Sequence, residues 1–310
     1  MRAFVHVNHL GRRRGPILGT PARRRRTHFY GAELAGLCLA GTLLVSGSAA
    51  AKQSSSWQPA PASTVQEVTS IPGAVFDEVG LQPSVTPPVV LSAQPALRFG
   101  GKPGVYYLGA EPCPLCAAER WAFIAATSRF GTWSKLGVAQ SGANDEFPNT
   151  QTFTFLKASF TSPYIAVRTV EHLGSHQLAN GHFAILQQPS AAKAAIYARY
   201  DSAKYFPENP GTYPFLDFGN RVVVAGPSYD PGTLAGLSRA EIASDLTNPS
   251  STVAKNIVGT ANYLAAAICS LDGQRPTSVC TTSGVTQARN FGKIGLGTAA
   301  TSNCSCKPSS

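Results

Sequence analysis

Residues 104–131, GVYYLGAEPCPLCAAERWAFIAATSRFG, contain the most informative pattern in the sequence. Val105–Leu108 predicts a short buried strand, a tight turn follows, and the cysteine pair at its end begins a long helix. A proline in the first turn is tolerated there, and Gly131 supplies a stop. Because apolar side chains cover most sides of this helix, we expect it to be buried. Only its N-terminal tip, which carries Cys113, should then face solvent.

Cys113 and Cys116 are separated by two residues, so they can close a small disulfide ring with little backbone movement. A helix start is also where a thiolate is best stabilised, and this favours redox chemistry. Two alternatives stay open: a purely structural disulfide, and half of a zinc site. The other zinc ligands would come from Cys304, Cys306, His172, His176 and His182. Because this pair leads into an apolar helix and the histidines are typical of surface or packing positions, we predict no metal site.

The net charge of +10 at pH 7 is concentrated at one end of the chain. Residues 1–30 hold eight arginines and no acidic residue, which leaves 18 basic and 16 acidic side chains in the other 280 residues. The basic character therefore belongs to an N-terminal tail, expected to be cytoplasmic. The body of the protein gives no reason to expect nucleic-acid binding.

An uncharged run of 18 residues, 34–51, follows the arginines. This length is close to the roughly 20 residues that cross a bilayer, and the preceding arginines would hold that end in the cytoplasm. We expect residues 31–51 to be a membrane anchor, with the rest of the chain outside the cytoplasm. A cleaved signal peptide is the alternative, since 49–51 resembles a small-residue cleavage site, and the protein would then be secreted.

The remaining chain divides by composition. Residues 52–95 are rich in Pro, Ser and Ala and predict an extended linker, with a strand near 75–79. Residues 96–275 predict the globular domain, and residues 276–310 predict a polar tail.

Disulfides persist outside the cytoplasm, so the other cysteines are informative. Cys269 ends a helical pattern and Cys280 follows a turn-rich loop, which makes this pair a candidate structural disulfide. Cys280 pairing with the C-terminal cysteines is the alternative.

Strand and helix patterns continue beyond the cysteine helix. The predicted strands are 136–140, 152–158, 164–170, 215–218 and 222–225, and the predicted helices are 189–200, 242–246 and 249–268. The last two strands form a hairpin around Gly219-Asn220. Pro214 begins this hairpin, where a cis Tyr213–Pro214 bond can be accommodated. When this stretch is considered by itself, a trans proline at the start of an edge strand is the commoner arrangement.

The order of strand, CxxC helix, further strands and a proline-led hairpin resembles the thioredoxin fold. The chain more closely resembles domain of unknown function 929, a family of membrane-tethered thioredoxin-like proteins of archaea and actinobacteria. The resemblance rests on residues 107–121 (YLGAEPCPLCAAERW), 128–131 (SRFG), 148–153 (PNTQTF) and 213–217 (YPFLD). It implies an α/β, thioredoxin-like fold with insertions and a redox role. Pro112 departs from thioredoxins, in which an aromatic residue commonly precedes the first cysteine.

We expect an extracytoplasmic thiol–disulfide oxidoreductase that acts on protein thiols and needs no cofactor. Cys113 would be the reacting thiol, Cys116 would resolve the mixed disulfide, and the backbone of Tyr213 beside Pro214 would pair with an extended client segment. The alternatives are a tethered binding module with a permanent disulfide, or a copper(I)-handling thiol protein. Nearby carboxylates Glu111 and Glu119 would either oppose thiolate formation or lie solvated on the surface.

Overall fold

A strand and the helix that follows it stand at the centre of the fold, both where the sequence predicts them. The computed structural model describes residues 57–92 and 94–295. The α-helices in this part are α1 (Ala62–Thr69), α2 (Gly73–Val79), α3 (Pro114–Ser128), α4 (Ala191–Tyr200), α5 (Arg239–Asp245), α6 (Thr252–Leu271), α7 (Thr277–Cys280) and α8 (Ser283–Phe291). The strands are β1 (Val89–Val90), β2 (Arg98–Phe99), β3 (Lys102–Gly109), β4 (Thr132–Ser134), β5 (Gly137–Gln140), β6 (Gln151–Thr154), β7 (Ser159–Thr161), β8 (Ala166–Glu171), β9 (Leu173–Gln177), β10 (Phe183–Ile185), β11 (Phe215–Phe218) and β12 (Val222–Ala225).

The main sheet is mixed, with β3 at its centre. On one side β3 pairs antiparallel with β11, where Leu108 faces Phe215. On the other side it pairs parallel with β8, where Leu108 faces Val170. Strand β12 and then β1 lie beyond β11, and β2 pairs with the first residues of β3. The strands β4–β7, β5–β6 and β9–β10 form separate antiparallel pairs. The fold class is therefore α/β, as predicted.

Alternating side chains of β3 enter two hydrophobic clusters, one on each face of the sheet. Tyr107 belongs to the larger cluster, which is built with α3 and α6. Tyr106 belongs to the smaller cluster, beneath α4. Because both faces of β3 are covered, every residue from 104 to 109 is buried, whichever face its side chain points to. This is expected for a central strand in an α/β protein.

Local signals in the hairpin and in α5 are confirmed. Gly219 and Asn220 have φ of 67° and 54°, the left-handed conformation that a two-residue hairpin turn requires. The Ser238–Glu241 capping box is present, with Ser238 Oγ accepting from the Glu241 amide and the Glu241 carboxylate accepting from the Ser238 amide.

The expectation of an extended linker over 52–95 is wrong for residues 62–79, which form α1 and α2. The strand expected near 75–79 is a helix, because Val79 follows Val75 by four residues and Phe76 by three, so that all three bury one helical face in the main core. The end of α2 is held by Asn262, whose Nδ2 donates to the carbonyls of Phe76 (2.8 Å) and Gly80 (3.0 Å). The globular domain therefore begins before residue 96.

The expectation of a polar tail from residue 276 is also wrong as far as Phe291, since α8 packs against α6 and α2. Val285 and Ala288 are fully buried in this contact. Gly284 lies against the Phe76 carbonyl and the Asn262 side chain, so that a Cβ there would overlap both. A short, weakly apolar helix is stabilised here by packing, which composition alone does not indicate.

The predicted strand 152–158 ends earlier, since β6 stops at Thr154 and the amide of Phe155 donates to the Glu171 carboxylate at 3.0 Å. The predicted tail 1–30, the anchor or signal segment 31–51, and Cys304 and Cys306 lie outside the described residues. Across 57–92 and 94–295, no helix is both long and apolar enough to cross a membrane.

Candidate functional site

Cys113 is the N-cap of α3, and its side chain is partly exposed. Its Sγ accepts a hydrogen bond from the Cys116 amide at 3.1 Å. The first amides of a helix have no partner within the helix, so a sulfur at this position satisfies one of them. The next residue, Pro114, has no amide hydrogen to leave unsatisfied. The sequence thus places a thiol where the helix best stabilises negative charge.

Cys116 lies behind Cys113 and is fully buried. A hydrogen bond from its side chain lowers the pKa of Cys113, although burial acts in the opposite direction. Burial raises the pKa of Cys116 well above its ordinary value, and the charge of Arg120 acts against that increase. The two thiols are therefore chemically unequal, with Cys113 the accessible one that ionises first.

The loop before β11 meets the cysteine pair. The Tyr213–Pro214 bond is cis, and the Cys113 thiol donates to the Tyr213 carbonyl at 3.8 Å. The two residues are 100 positions apart in sequence, and they meet because β11 lies beside β3 in the sheet. The predicted site residues Cys113, Cys116, Tyr213 and Pro214 thus lie together.

His172 is a residue of this site that sequence reasoning assigned to the surface or to packing. Its Nδ1 lies 2.7 Å from the Tyr213 hydroxyl, and the Tyr197 ring packs on the Tyr213 ring with centroids 5.7 Å apart. His172 directly follows β8, the strand parallel to β3, and its amide donates to the Gly109 carbonyl at 2.7 Å. The position of His172 just after the predicted strand 164–170 is the only sequence signal for its proximity to the site, and that strand's parallel pairing with β3 is seen only in the structure.

Two hairpins hold the turn before Cys113. The Gly142 amide, after β5, donates to the Pro112 carbonyl at 2.8 Å. The Glu111 amide donates to the Leu173 carbonyl, at the start of β9, at 2.9 Å. The β5–β6 and β9–β10 hairpins therefore contact the two residues that precede Cys113.

A buried ion pair lies beneath the cysteine turn. Arg120 Nε donates to Glu171 Oε1 at 3.0 Å, Nη2 donates to Oε2 at 2.7 Å, and neither side chain is exposed (0%). Nη2 also donates to the Ala110 carbonyl at 2.8 Å. Sequence reasoning missed this pair, because nothing local relates two residues 51 positions apart.

Glu111 and Glu119 are buried rather than solvated on the surface. Thr154 Oγ1 donates to Glu111 at 2.7 Å, and burial raises the pKa of Glu111. Burial raises the pKa of Glu119 to about 7, against the hydrogen bonds that it accepts from Ser228. These carboxyl groups are therefore easier to protonate than surface ones.

Cys269 and Cys280 form a disulfide that joins the end of α6 to α7, with Cα atoms 5.6 Å apart. Within the described residues, no group of three or more His, Cys, Asp and Glu side chains is arranged to hold a metal ion. His176 and His182 lie on or beside the β9–β10 pair and do not join Cys113 and Cys116.

No curated protein and no solved structure matches the chain significantly. One family model does match: residues 89–270 fit the model described as Domain of unknown function (DUF929). This range begins at β1 and ends in α6, so it contains both thiols, the Tyr213 loop and the buried ion pair. Since the match covers more than half of the sequence together with the whole candidate site, the chain belongs to this family.

Proposed function

We propose that the protein is a thiol–disulfide oxidoreductase that exchanges disulfides with other proteins through Cys113 and Cys116. The observation that carries this proposal is the asymmetry of the two thiols. A partly exposed sulfur caps α3, and its neighbour is buried directly behind it. A thiol with a lowered pKa at a helix start is the arrangement expected of a reactive cysteine, whereas buried structural cysteines are inert.

In the oxidising direction, a client thiolate attacks Cys113 Sγ of the Cys113–Cys116 disulfide. The client–Cys113 bond forms, the Cys113–Cys116 bond breaks, and its electron pair leaves on Cys116. A second client thiolate then attacks the client sulfur, and Cys113 leaves as a thiolate, so the client gains a disulfide and the protein becomes a dithiol. A second protein disulfide regenerates the starting form, and the same steps run backwards reduce a client.

The Tyr213 loop supports a polypeptide as the client. The Tyr213 carbonyl lies within 3.8 Å of the sulfur, so an extended segment that pairs with this backbone would bring its own cysteine to Cys113. Main-chain pairing is tolerant of sequence, which suits a protein that acts on several clients.

We also propose that the domain is a thioredoxin-like fold with insertions. Strand β3, helix α3 and the parallel strand β8, followed by the β11–β12 hairpin and α6, provide the frame. The pairs β4–β7, β5–β6 and β9–β10 together with α4 are then insertions. The location outside the cytoplasm is supported by the apolar run at 34–51 and by the Cys269–Cys280 disulfide, a bond typical of oxidising compartments.

Trapping tests the function. Cys116→Ser, expressed in full length in the native host, leaves Cys113 unable to release a captured client, so we expect mixed disulfides on non-reducing gels that disappear on reduction. The control is Cys113→Ser/Cys116→Ser, which should trap none. Equal adducts in the two variants would refute protein disulfide exchange. A reduction potential below about −300 mV would instead support a permanent structural disulfide.

A further inference from the structure

Two buried hydrogen-bond donors beside the turn that precedes Cys113 have no acceptor among the described residues. They are the Tyr107 hydroxyl and Nη1 of Arg120. Both side chains are fully buried, with 0% exposure. Buried polar groups in native proteins are nearly always paired, and each exception calls for an explanation.

Both donors lie at the end of β3 where the cysteine turn begins. The Tyr107 hydroxyl lies so close to Gly109, the last residue of β3, that a Cβ at this glycine would overlap it. Arg120 lies one helical turn after Cys116 on α3, and helical side chains lean toward the N-terminus, so its guanidinium extends back toward that thiol. The hydrogen bond from Arg120 to the Ala110 carbonyl holds it there, with Cζ 5.9 Å from the centre of the Tyr107 ring.

The charges of these groups affect one another. Burial raises the pKa of Tyr107 well above its ordinary value; the charge of Arg120 lowers it, and a charge on Cys116 raises it further. The Arg120 charge likewise acts against the effect of burial on the pKa of Cys116. A negative charge on Cys116 therefore interacts with both groups.

We propose that Tyr107 and Arg120 stabilise the Cys116 thiolate, an inference that rests on the proposed exchange reaction. When an incoming thiolate bonds to Cys113 and the Cys113–Cys116 bond breaks, the electron pair stays on Cys116 Sγ in a fully buried position. The Tyr107 hydroxyl, which has no partner while Cys116 is an uncharged thiol, then turns its O–H toward that sulfur, and the Arg120 cation offsets its charge. The same thiolate then attacks Cys113 and expels the captured group, so this stabilisation controls how fast a mixed disulfide is resolved.

The test uses the full-length protein with Cys38, Cys304 and Cys306 replaced by serine, so that Cys113 and Cys116 are the only cysteines outside the buried Cys269–Cys280 disulfide. After mild reduction that leaves this disulfide intact, the protein is mixed with an aromatic disulfide, dithiobisnitrobenzoate, which releases coloured nitrothiobenzoate. Cys113 attacks the reagent and releases one equivalent in a step that depends on reagent concentration. Cys116 then attacks Cys113 and releases a second equivalent in a step that does not. The second step reports on Cys116 alone, and it needs no protein client.

In Tyr107→Phe we expect the pH midpoint of the second step to rise by about one unit or more, since a hydrogen bond to a charged group is worth about a tenfold change in equilibrium. At pH 7 the second step should slow about threefold, because a smaller thiolate fraction is partly offset by the greater nucleophilicity of a more basic thiolate. The first step should stay unchanged.

Tyr106→Phe is the matched control. It removes an equally buried and unpaired hydroxyl from the adjacent residue, which faces the opposite side of the sheet, and should leave both steps unchanged. Glu171→Gln tests the sign of the Arg120 contribution: with the neutralising carboxylate removed, the midpoint should fall, and thermal unfolding of the same sample checks that this variant is folded.

Identical midpoints in Tyr107→Phe and Tyr106→Phe would overturn the proposal. Release of only one equivalent by the parent protein, which keeps both Cys113 and Cys116, would also overturn it. Failure to trap clients with Cys116→Ser, together with a shifted midpoint in Tyr107→Phe, would refute the proposed function with protein clients while leaving the stabilisation of the thiolate intact.

Discussion

Glu119→Gln should change how stability depends on pH. Glu119 is fully buried on α3, where its carboxylate accepts from the Ser228 amide at 2.9 Å and from the Ser228 hydroxyl at 3.0 Å. Burial raises its pKa from 4.5 to about 7. Glutamine has the same shape and keeps an oxygen for the Ser228 amide, so the substitution removes little besides the titration.

The sign and size follow from the difference in pKa between the two states. Because the pKa of Glu119 is higher in the folded protein than in the unfolded chain, the folded state binds the proton more tightly. The protonated Glu119 carboxyl therefore adds to the unfolding free energy. This added stability is fully present below about pH 4.5 and is lost as the pH rises through about 7. A difference of one in pKa corresponds to about 1.4 kcal/mol, so the whole contribution is about 3 kcal/mol.

Urea unfolding followed by tryptophan fluorescence, repeated between pH 5 and pH 8, measures this contribution. Relative to Glu119→Gln, the wild type should lose about 2 to 3 kcal/mol of unfolding free energy over that range. Glu146→Gln is the control, because Glu146 is exposed and its substitution should leave the pH dependence as in the wild type. If Glu119→Gln and the wild type show the same pH dependence, the argument from burial is refuted.

Three further predictions follow from burial and chain connectivity. Asp217→Asn should remove a second pH-dependent part of the unfolding free energy, of the same sign and about 4 kcal/mol, because burial raises the pKa of Asp217 from 3.8 to about 7. If the unfolding free energy of this variant depends on pH as that of the wild type does, the prediction is contradicted. Iodoacetamide at pH 7 should label Cys113 about tenfold faster than Cys116, since Cys116 is buried and has a raised pKa. Peptide mass analysis measures both rates, and equal rates would contradict the difference in reactivity between the two thiols. Replacing Cys269 and Cys280 by serine should lower the unfolding free energy by about 3 kcal/mol, as expected for a link across a sequence separation of 11 residues; a urea midpoint equal to that of the wild type would contradict the entropic argument.

Local sequence predicts much of the frame. The strand before Cys113, the helix after it, the Gly219-Asn220 turn and the capping box at Ser238 each depend on residues within a few positions of one another. Each signal acts through the nearest backbone groups. Pro114 fits the first helical turn, Gly219 and Asn220 tolerate the positive φ of the hairpin turn, and Ser238 caps the helix together with Glu241. Such signals can be read without the fold.

Helices α1, α2 and α8 lacked signals of this kind. Their sequences are short and only moderately apolar, and proline clusters around α1 and α2 favour a linker assignment. They are helical because Val68, Phe76 and Val285, one from each helix, bury their side chains in the main core. Packing against a distant helix supplies most of the stability of a short helix, so composition underestimates it.

Two thiols at the start of a buried helix after a strand can be predicted from local sequence, because these features lie within one continuous stretch. Other contacts depend on the folded chain: the Tyr213 carbonyl beside Cys113, the Arg120–Glu171 pair beneath the turn, and the Ser228 hydrogen bonds to buried Glu119. These contacts join residues between 51 and 109 positions apart. They exist because sheet pairing and core packing bring distant segments together, and the same burial sets the pKa values on which the chemistry of the thiols depends.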